Sequence, residues 1–517
     1  MKLPVILLAA TVTITACFSF RNQSGNSIDV KSVPTEAGLV SGYTGEDGLV
    51  KIFKGIPFAA PPIGELRWKP PVPPAHWEGV RKCEVFSASA IQAKPAPFAM
   101  WSKEFMAPEE PLSEDCLYLN VWTPAKDADE KRPVIVYIHG GAFTGGSGSV
   151  PLYDGEAIAK KGVVFVTINY RLGILGFLAH PDLSKESPDG VSGNYGILDQ
   201  IAALKWVNKN IAAFGGDPSN VTIEGQSAGA FSVNALVVSP KAKGLFQKAI
   251  AESGGIFGGD RMLTSGLKNG EDAGVRLAEK LKSTIAEMRK LPAETLLKAG
   301  AAGPVIDGVV IMPADQTFAS SQQNDVALLT GWNADEFNFG PPAKAASFKA
   351  EAQRRYGNFS EDMLRVFPAE TDEQANQSQK LLSVLSFGWQ NYRWATMQSE
   401  KGKNKAWLYL FSHVPPGEPN YGAFHSAEFG YCLNNLKYWD RPFTDADYKL
   451  ADMMSSYWVN FAKTGNPNGK GLPEWPSFNP TNPKIIEFGD EVKPADLPYK
   501  PQLQFLDRYQ ESLQSKN

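Results

Sequence analysis

Gly225-Gln226-Ser227-Ala228-Gly229 sets one hydroxyl between two glycines, and no other stretch of the chain is so well placed for covalent chemistry. It follows the β-branched run Val221-Thr222-Ile223 and opens a run of small residues, so it falls where a strand turns into a helix. A Gly-x-Ser-x-Gly turn in that position is a nucleophile elbow. The glycines let the turn close, and the serine projects above a helix N-terminus, where developing negative charge is favoured. The chemistry this serves is nucleophilic acyl transfer.

Such a serine needs a base, an acid to orient the base, and donors for an oxyanion. The histidines are His76, His139, His180, His413 and His425. In elbow folds the acid and the base follow the serine in the chain, which leaves His413 and His425. His413 ends an apolar run, whereas His425 lies in the loop 421–431, a better place for a base, so His425 is expected. The acid is expected at Asp335 or Glu336, side by side after the apolar run 326–332; the pair Glu109-Glu110 precedes the elbow and fits the order worse. The glycine-rich stretch 138–147 exposes backbone N–H groups to a ligand, and the Ala228 N–H supplies a further donor. It is not a phosphate loop, because it lacks the GxxxxGK[ST] pattern, and its glycine spacing fails the dinucleotide fingerprint.

The elements that must position these residues are legible from periodicity. Segments 133–139 and 162–170 are continuous apolar runs of the buried parallel-strand kind. Residues 197–214 and 228–238 read as helices, and 220–225, 248–253, 326–332 and 405–413 as strands. The alternation predicts an α/β fold: a mostly parallel central sheet, helices on both faces, and an added N-terminal antiparallel hairpin region over 38–59. Segment 340–400 is largely helical in pattern and is placed to cover the site.

The net charge of −4 on 517 residues and the lack of any long Lys/Arg run give no footprint for nucleic acid. The N-terminus carries Lys2, then an apolar stretch from Leu3 to Ile14, too short to span a bilayer. It reads as an export signal over 1–16, and Ile14-Thr15-Ala16-Cys17 resembles a lipoprotein cleavage site, with Cys17 lipidated and 17–35 a flexible tether. The expected location is the cell envelope or periplasm, with membrane attachment through Cys17; ordinary cleavage near Ala16 would instead release a secreted protein. The other cysteines are Cys83, Cys116 and Cys432, so the fold cannot depend on a disulfide framework. His and Cys are too sparse to suggest a zinc cluster, and no metal or cofactor is expected.

Taken together, the chain resembles the type-B carboxylesterases, the group that includes cholinesterases and bacterial para-nitrobenzyl esterases. The resemblance runs from about residue 36 to 510 and rests on EDCLYLNVWTP (114–124) and FGGDPSNVTIEGQSAG (214–229). It is carried further by KGIPFAAPPIGELRWKPP (54–71), VYIHGGAF (136–143), NYRLGILGF (169–177) and WVNFAKTGNPN (458–468). It implies a single α/β-hydrolase domain over 36–512, a small-molecule ester substrate and no cofactor. It also implies a triad of Ser227, Glu336 and His425, oxyanion donors at Gly141, Ala142 and Ala228, and Ser253 close to the acid.

There are departures. The family's cysteine partner to Cys116 falls near Ala90 here, which leaves a Cys83–Cys116 bridge open. Gln226 stands where the family often has Glu, and the lost charge argues against a choline ester. Rival readings are a non-catalytic adhesion protein of the same fold, or a feruloyl or acetyl esterase, amidase or thioesterase. Phe98, Trp101, Phe105, Trp389 and Trp394 suit an apolar pocket, but one by one they read as core packing.

Overall fold

The computed structural model describes residues 27–258, 265–337 and 340–514. The expected signal segment, Cys17 and the start of the tether lie outside the described residues.

The apolar runs form one eleven-stranded sheet. In chain order its strands are β1 (Tyr43–Thr44), β2 (Lys51–Pro57), β3 (Tyr118–Thr123), β4 (Arg132–Ile138), β5 (Val164–Ile168), β6 (Gly216–Gln226), β7 (Lys248–Glu252), β8 (Ala327–Asn333), β9 (Ala406–Phe411), β10 (Lys484–Phe488) and β11 (Val492–Asp496). Across the sheet the order is β11-β10-β9-β8-β7-β6-β4-β5-β3-β2-β1. Strands β4 to β10 are parallel; β11 at one edge and β3, β2 and β1 at the other join by antiparallel pairing. The hairpin expected over 38–59 is only partly so. Gly38–Ser41 leaves the main sheet and joins Val33–Thr35 and Val80–Lys82 in a three-stranded sheet of its own.

Helices α1 (Tyr195–Asn210), α2 (Ala228–Val238), α3 (Asp372–Lys401), α4 (Asp445–Thr464) and α5 (Lys500–Gln514) cover the sheet. Successive strand residues point to opposite faces. Val134, Val136 and Ile138 share a core with residues of α1, α2, α3 and α5, while Ile135 and Tyr137 pack in a second core with residues of α4. Burial on both faces is why these strands read as unbroken apolar runs.

A buried ion pair fixes α1. The Arg171 guanidinium donates to both carboxylate oxygens of Asp199, at 2.8 and 2.7 Å, and the Arg171 N–H adds a third bond at 3.0 Å. Removing one partner strands the other charge, so Asp199→Ala should cost about 3–5 kcal/mol. Urea unfolding of the variant against wild type measures it, and a loss under about 1 kcal/mol would contradict it.

Cys83 and Cys116 are both buried free thiols, so the pairing left open by the sequence is not made. Burial pushes the Cys83 thiol up to about 11.

Candidate active site

The end of β6 and the start of α2 meet at Ser227, whose backbone has φ 54° and ψ −124°. A left-handed conformation costs a non-glycine residue about 1–3 kcal/mol and persists only where the surroundings enforce it. They do so here. The Ser227 N–H donates to the Glu252 carbonyl of β7 at 2.9 Å, and the Phe231 N–H donates to the Ser227 carbonyl at 2.9 Å. A Cβ on Gly229 would stand 2.1 Å from the Ile138 carbonyl oxygen, and one on Gly225 would stand 2.6 Å from the Gly229 backbone. No larger residue fits either place. Gln226 and Ala228 are buried while Ser227 is only half-buried, so the serine is the residue the turn presents.

The acid and the base are assembled by loops beyond β8 and β9. A backbone bridge joins Glu336 to Phe424, and the His425 N–H donates to the Glu336 carbonyl at 2.8 Å. Glu336 turns through φ 37°, which aims its carboxylate inward. One carboxylate oxygen is hydrogen-bonded to His425 Nδ1. The other accepts from the Ser253 hydroxyl at 2.7 Å and from the Asn333 N–H at 3.0 Å. With Nδ1–H pointing at Glu336, Nε2 presents its lone pair toward Gln226 in the elbow, the tautomer a general base requires. The Gln226 amide nitrogen lies 3.1 Å from that Nε2 and donates to it.

The alternatives sit elsewhere. Asp335 accepts the Ala423 N–H at 2.7 Å and clasps the loop. His413 is held between Asp447 at 2.9 Å and Asp490 at 3.2 Å, at the foot of α4. Glu109 forms an exposed pair with Lys94.

The glycine-rich loop follows β4. Gly141 has φ 103° and Ala142 φ 53°, and both are exposed. Among the described residues neither N–H is spent on another acceptor. The loop is braced from behind. The Gln92 side chain accepts the Gly146 N–H and donates to the Gly146 carbonyl, each at 2.9 Å, and Asn169 accepts the Gly148 N–H at 2.8 Å. His139 stacks on Tyr170 with ring centroids 4.4 Å apart, and burial lowers its pKa to about 4, which keeps it neutral.

Aromatic rings surround the imidazole. Phe387 from α3 stands 4.7 Å from His425 between ring centroids, Phe337 4.9 Å and Trp101 6.3 Å, with Phe98 tilted against Trp101 at 4.8 Å. Helical segment 340–400 thus reaches the site through Phe387. Trp101 and Phe98 are not core residues, contrary to the residue-by-residue expectation, whereas Phe105 and Trp394 are. Trp389 bonds Asp507 beside a cavity of about 190 Å³ between α3 and α5. Sequence reasoning missed Phe337, Phe387, Gln92, Asn169 and the role of His139. Only Phe337 carried a signal, as the residue after Glu336.

An elbow serine at the end of a parallel strand, under helices on both faces, defines the α/β-hydrolase class. Within that class, the chain belongs to the carboxylesterase family, whose sequence model matches residues 29–506. It is similar to the fumonisin B1 esterase of Sphingopyxis macrogoltabida, 37% identical over 492 residues, with 89% of this chain and 86% of that one covered. It is also similar to the para-nitrobenzyl esterase of Bacillus subtilis (strain 168), 35% identical with 89% and 95% covered. A solved PNB esterase structure superposes with a TM-score of 0.81 at 32% identity, covering 92% of this chain and 99% of that one. The protein is a carboxylic ester hydrolase acting on small-molecule esters.

Proposed function

We propose that this esterase works by a Ser227–His425–Glu336 triad through an acyl-enzyme, on neutral esters with an apolar or aromatic portion. The observation that carries the reading is the imidazole held by Glu336 at Nδ1 with Nε2 turned toward the elbow. Ser227 Oγ attacks the ester carbonyl while His425 takes its proton, and Glu336 stabilises the imidazolium. The N–H groups of Gly141, Ala142 and Ala228 receive the oxyanion. His425 then protonates the leaving alcohol and activates water to release the acid. Phe98, Trp101, Phe337 and Phe387 support an apolar or aryl substrate portion beside the imidazole. A rapid burst of p-nitrophenol from p-nitrophenyl acetate, equal to the enzyme concentration, is expected in stopped flow. Single-phase release without a burst, together with no acyl adduct in quenched samples, would count against the acyl-enzyme. The completeness of the nucleophile, base, acid and donor set argues against the adhesion-protein reading.

Gln226 bears on substrate charge. Gln226→Glu would place a carboxylate next to Ser227, and an added negative charge beside the site is worth about 1 kcal/mol, roughly fivefold, to a nearby cation. The kcat/KM ratio for a choline ester over its neutral isostere should therefore rise by about that factor. Taking the ratio cancels any change in His425, which is common to both substrates. Equal ratios in wild type and variant would refute the assignment.

The apolar stretch Leu3–Ile14 before Ile14-Thr15-Ala16-Cys17 supports export and attachment to the cell envelope through a lipidated Cys17. Whole cells fed labelled palmitate should label the protein, and Cys17→Ser should abolish the label; an unlabelled wild-type chain would exclude lipidation.

A further inference from the structure

Behind the elbow, on the face of the sheet that packs against α4, three ligand-type side chains converge. Glu224 on β6, Glu252 on β7 and Cys432, which ends the helical turn Phe429–Cys432, are all buried, and their ligand atoms lie within 4.8 Å of one another. The strand register makes this arrangement. Gln226 pairs with Glu252, so Glu224, two residues earlier, shares its face.

The hydrogen bonding there is incomplete. Neither oxygen of Glu224 has a partner. Glu252 accepts the Trp458 indole N–H at 2.8 Å on one oxygen, and its other oxygen is unpartnered. Tyr409 supplies an independent sign that something is bound. Its ring lies directly over Gly331, where a Cβ would stand 2.3 Å from it, and Gly331 pairs with Glu252. The Tyr409 hydroxyl is fully buried, lies within the electrostatic reach of Glu252 and Cys432, and is also unpartnered. No Lys, Arg or His forms an ion pair with either glutamate among the described residues.

Buried carboxylates cost several kcal/mol each unless compensated. Protonation satisfies this cluster poorly. A neutral Glu224 gains one O–H and the Cys432 thiol can donate to Glu252, yet the Glu224 carbonyl oxygen still lacks a donor. A single cation takes one oxygen from each glutamate and the sulfur at once.

We propose that Glu224, Glu252 and Cys432 bind a zinc-class divalent cation, with Tyr409 facing the fourth position. A thiolate with two carboxylates suits zinc rather than calcium or magnesium, which take oxygen ligands. The ion ties β6, which ends at Ser227, and β7 to the segment that follows His425, so its role is to fix the two halves of the candidate site against each other. The expectation of no metal came from counting His and Cys along the chain; these ligands are mostly carboxylates scattered over 224–432.

The test uses the full chain purified without chelator and the same chain refolded with zinc chloride. Elemental analysis should find close to one zinc per chain. Glu224→Gln, which keeps the shape, should lower that content at least several-fold, and a chelator should lower the Tm of wild type but not of the variant. The cobalt-substituted enzyme should show a thiolate-to-cobalt charge-transfer band that Cys432→Ser removes. Wild-type protein that holds no zinc after refolding with zinc chloride would overturn the proposal. So would Glu224→Gln holding as much zinc as wild type, or Glu224→Gln raising the Tm with no metal in either protein.

Discussion

Ser227→Ala is expected to lower kcat by about 10⁴–10⁶-fold, the loss seen when a triad nucleophile is removed. The residual rate belongs to the oxyanion donors and to substrate binding, both of which survive the change. The substitution leaves the buried surroundings nearly untouched, because Ser227 is held through its backbone: its N–H bonds the Glu252 carbonyl and its carbonyl bonds the Phe231 N–H. Alanine must still adopt φ near 54°, a cost serine already bears. Folding, followed by circular dichroism and thermal melting, should therefore stay close to wild type while activity collapses. A rate within tenfold of wild type would remove Ser227 from the mechanism.

The second large effect separates two histidines. His425→Ala is expected to reduce kcat nearly as far as Ser227→Ala, and the double variant little further, because members of one catalytic unit are grossly non-additive. His413→Ala should retain most activity, since its ring is committed to Asp447 and Asp490. Glu336→Gln is expected to cost about 10⁴-fold, because an amide can donate to Nδ1 and so favour the wrong tautomer. Asp335→Asn should cost far less, as that carboxylate only accepts the Ala423 N–H. Full activity in His425→Ala with loss in His413→Ala would reverse the assignment.

Much of this was legible in the sequence, for identifiable reasons. The strand–turn–helix around Ser227 could be read because β-branched and small residues change at the same point as the glycines. Strands β4 and β5 could be read because burial on both faces leaves no polar alternation. The choice of Glu336 over its neighbour needed the family resemblance, since two adjacent acids differ only in where a turn with φ 37° points them. The aromatic wall was not legible. α3 runs from Asp372 to Lys401, and nothing local says that Phe387 faces His425 while Trp394 faces the core. Trp101 and Phe105 are close in sequence and both aromatic, yet only Trp101 reaches the imidazole. Their separation depends on the path of the loop before Pro111, which is set by tertiary packing.

The whole triad turns on Ser227 being the nucleophile. The most direct measurement of this is peptide mapping by mass spectrometry after reaction with a fluorophosphonate probe. One phosphonylated peptide per chain is expected, spanning Gly225–Gly229 with the adduct on Ser227, formed in step with loss of esterase activity and absent in Ser227→Ala. Complete inactivation with the adduct on another residue, or an active enzyme that takes up no probe, would contradict it.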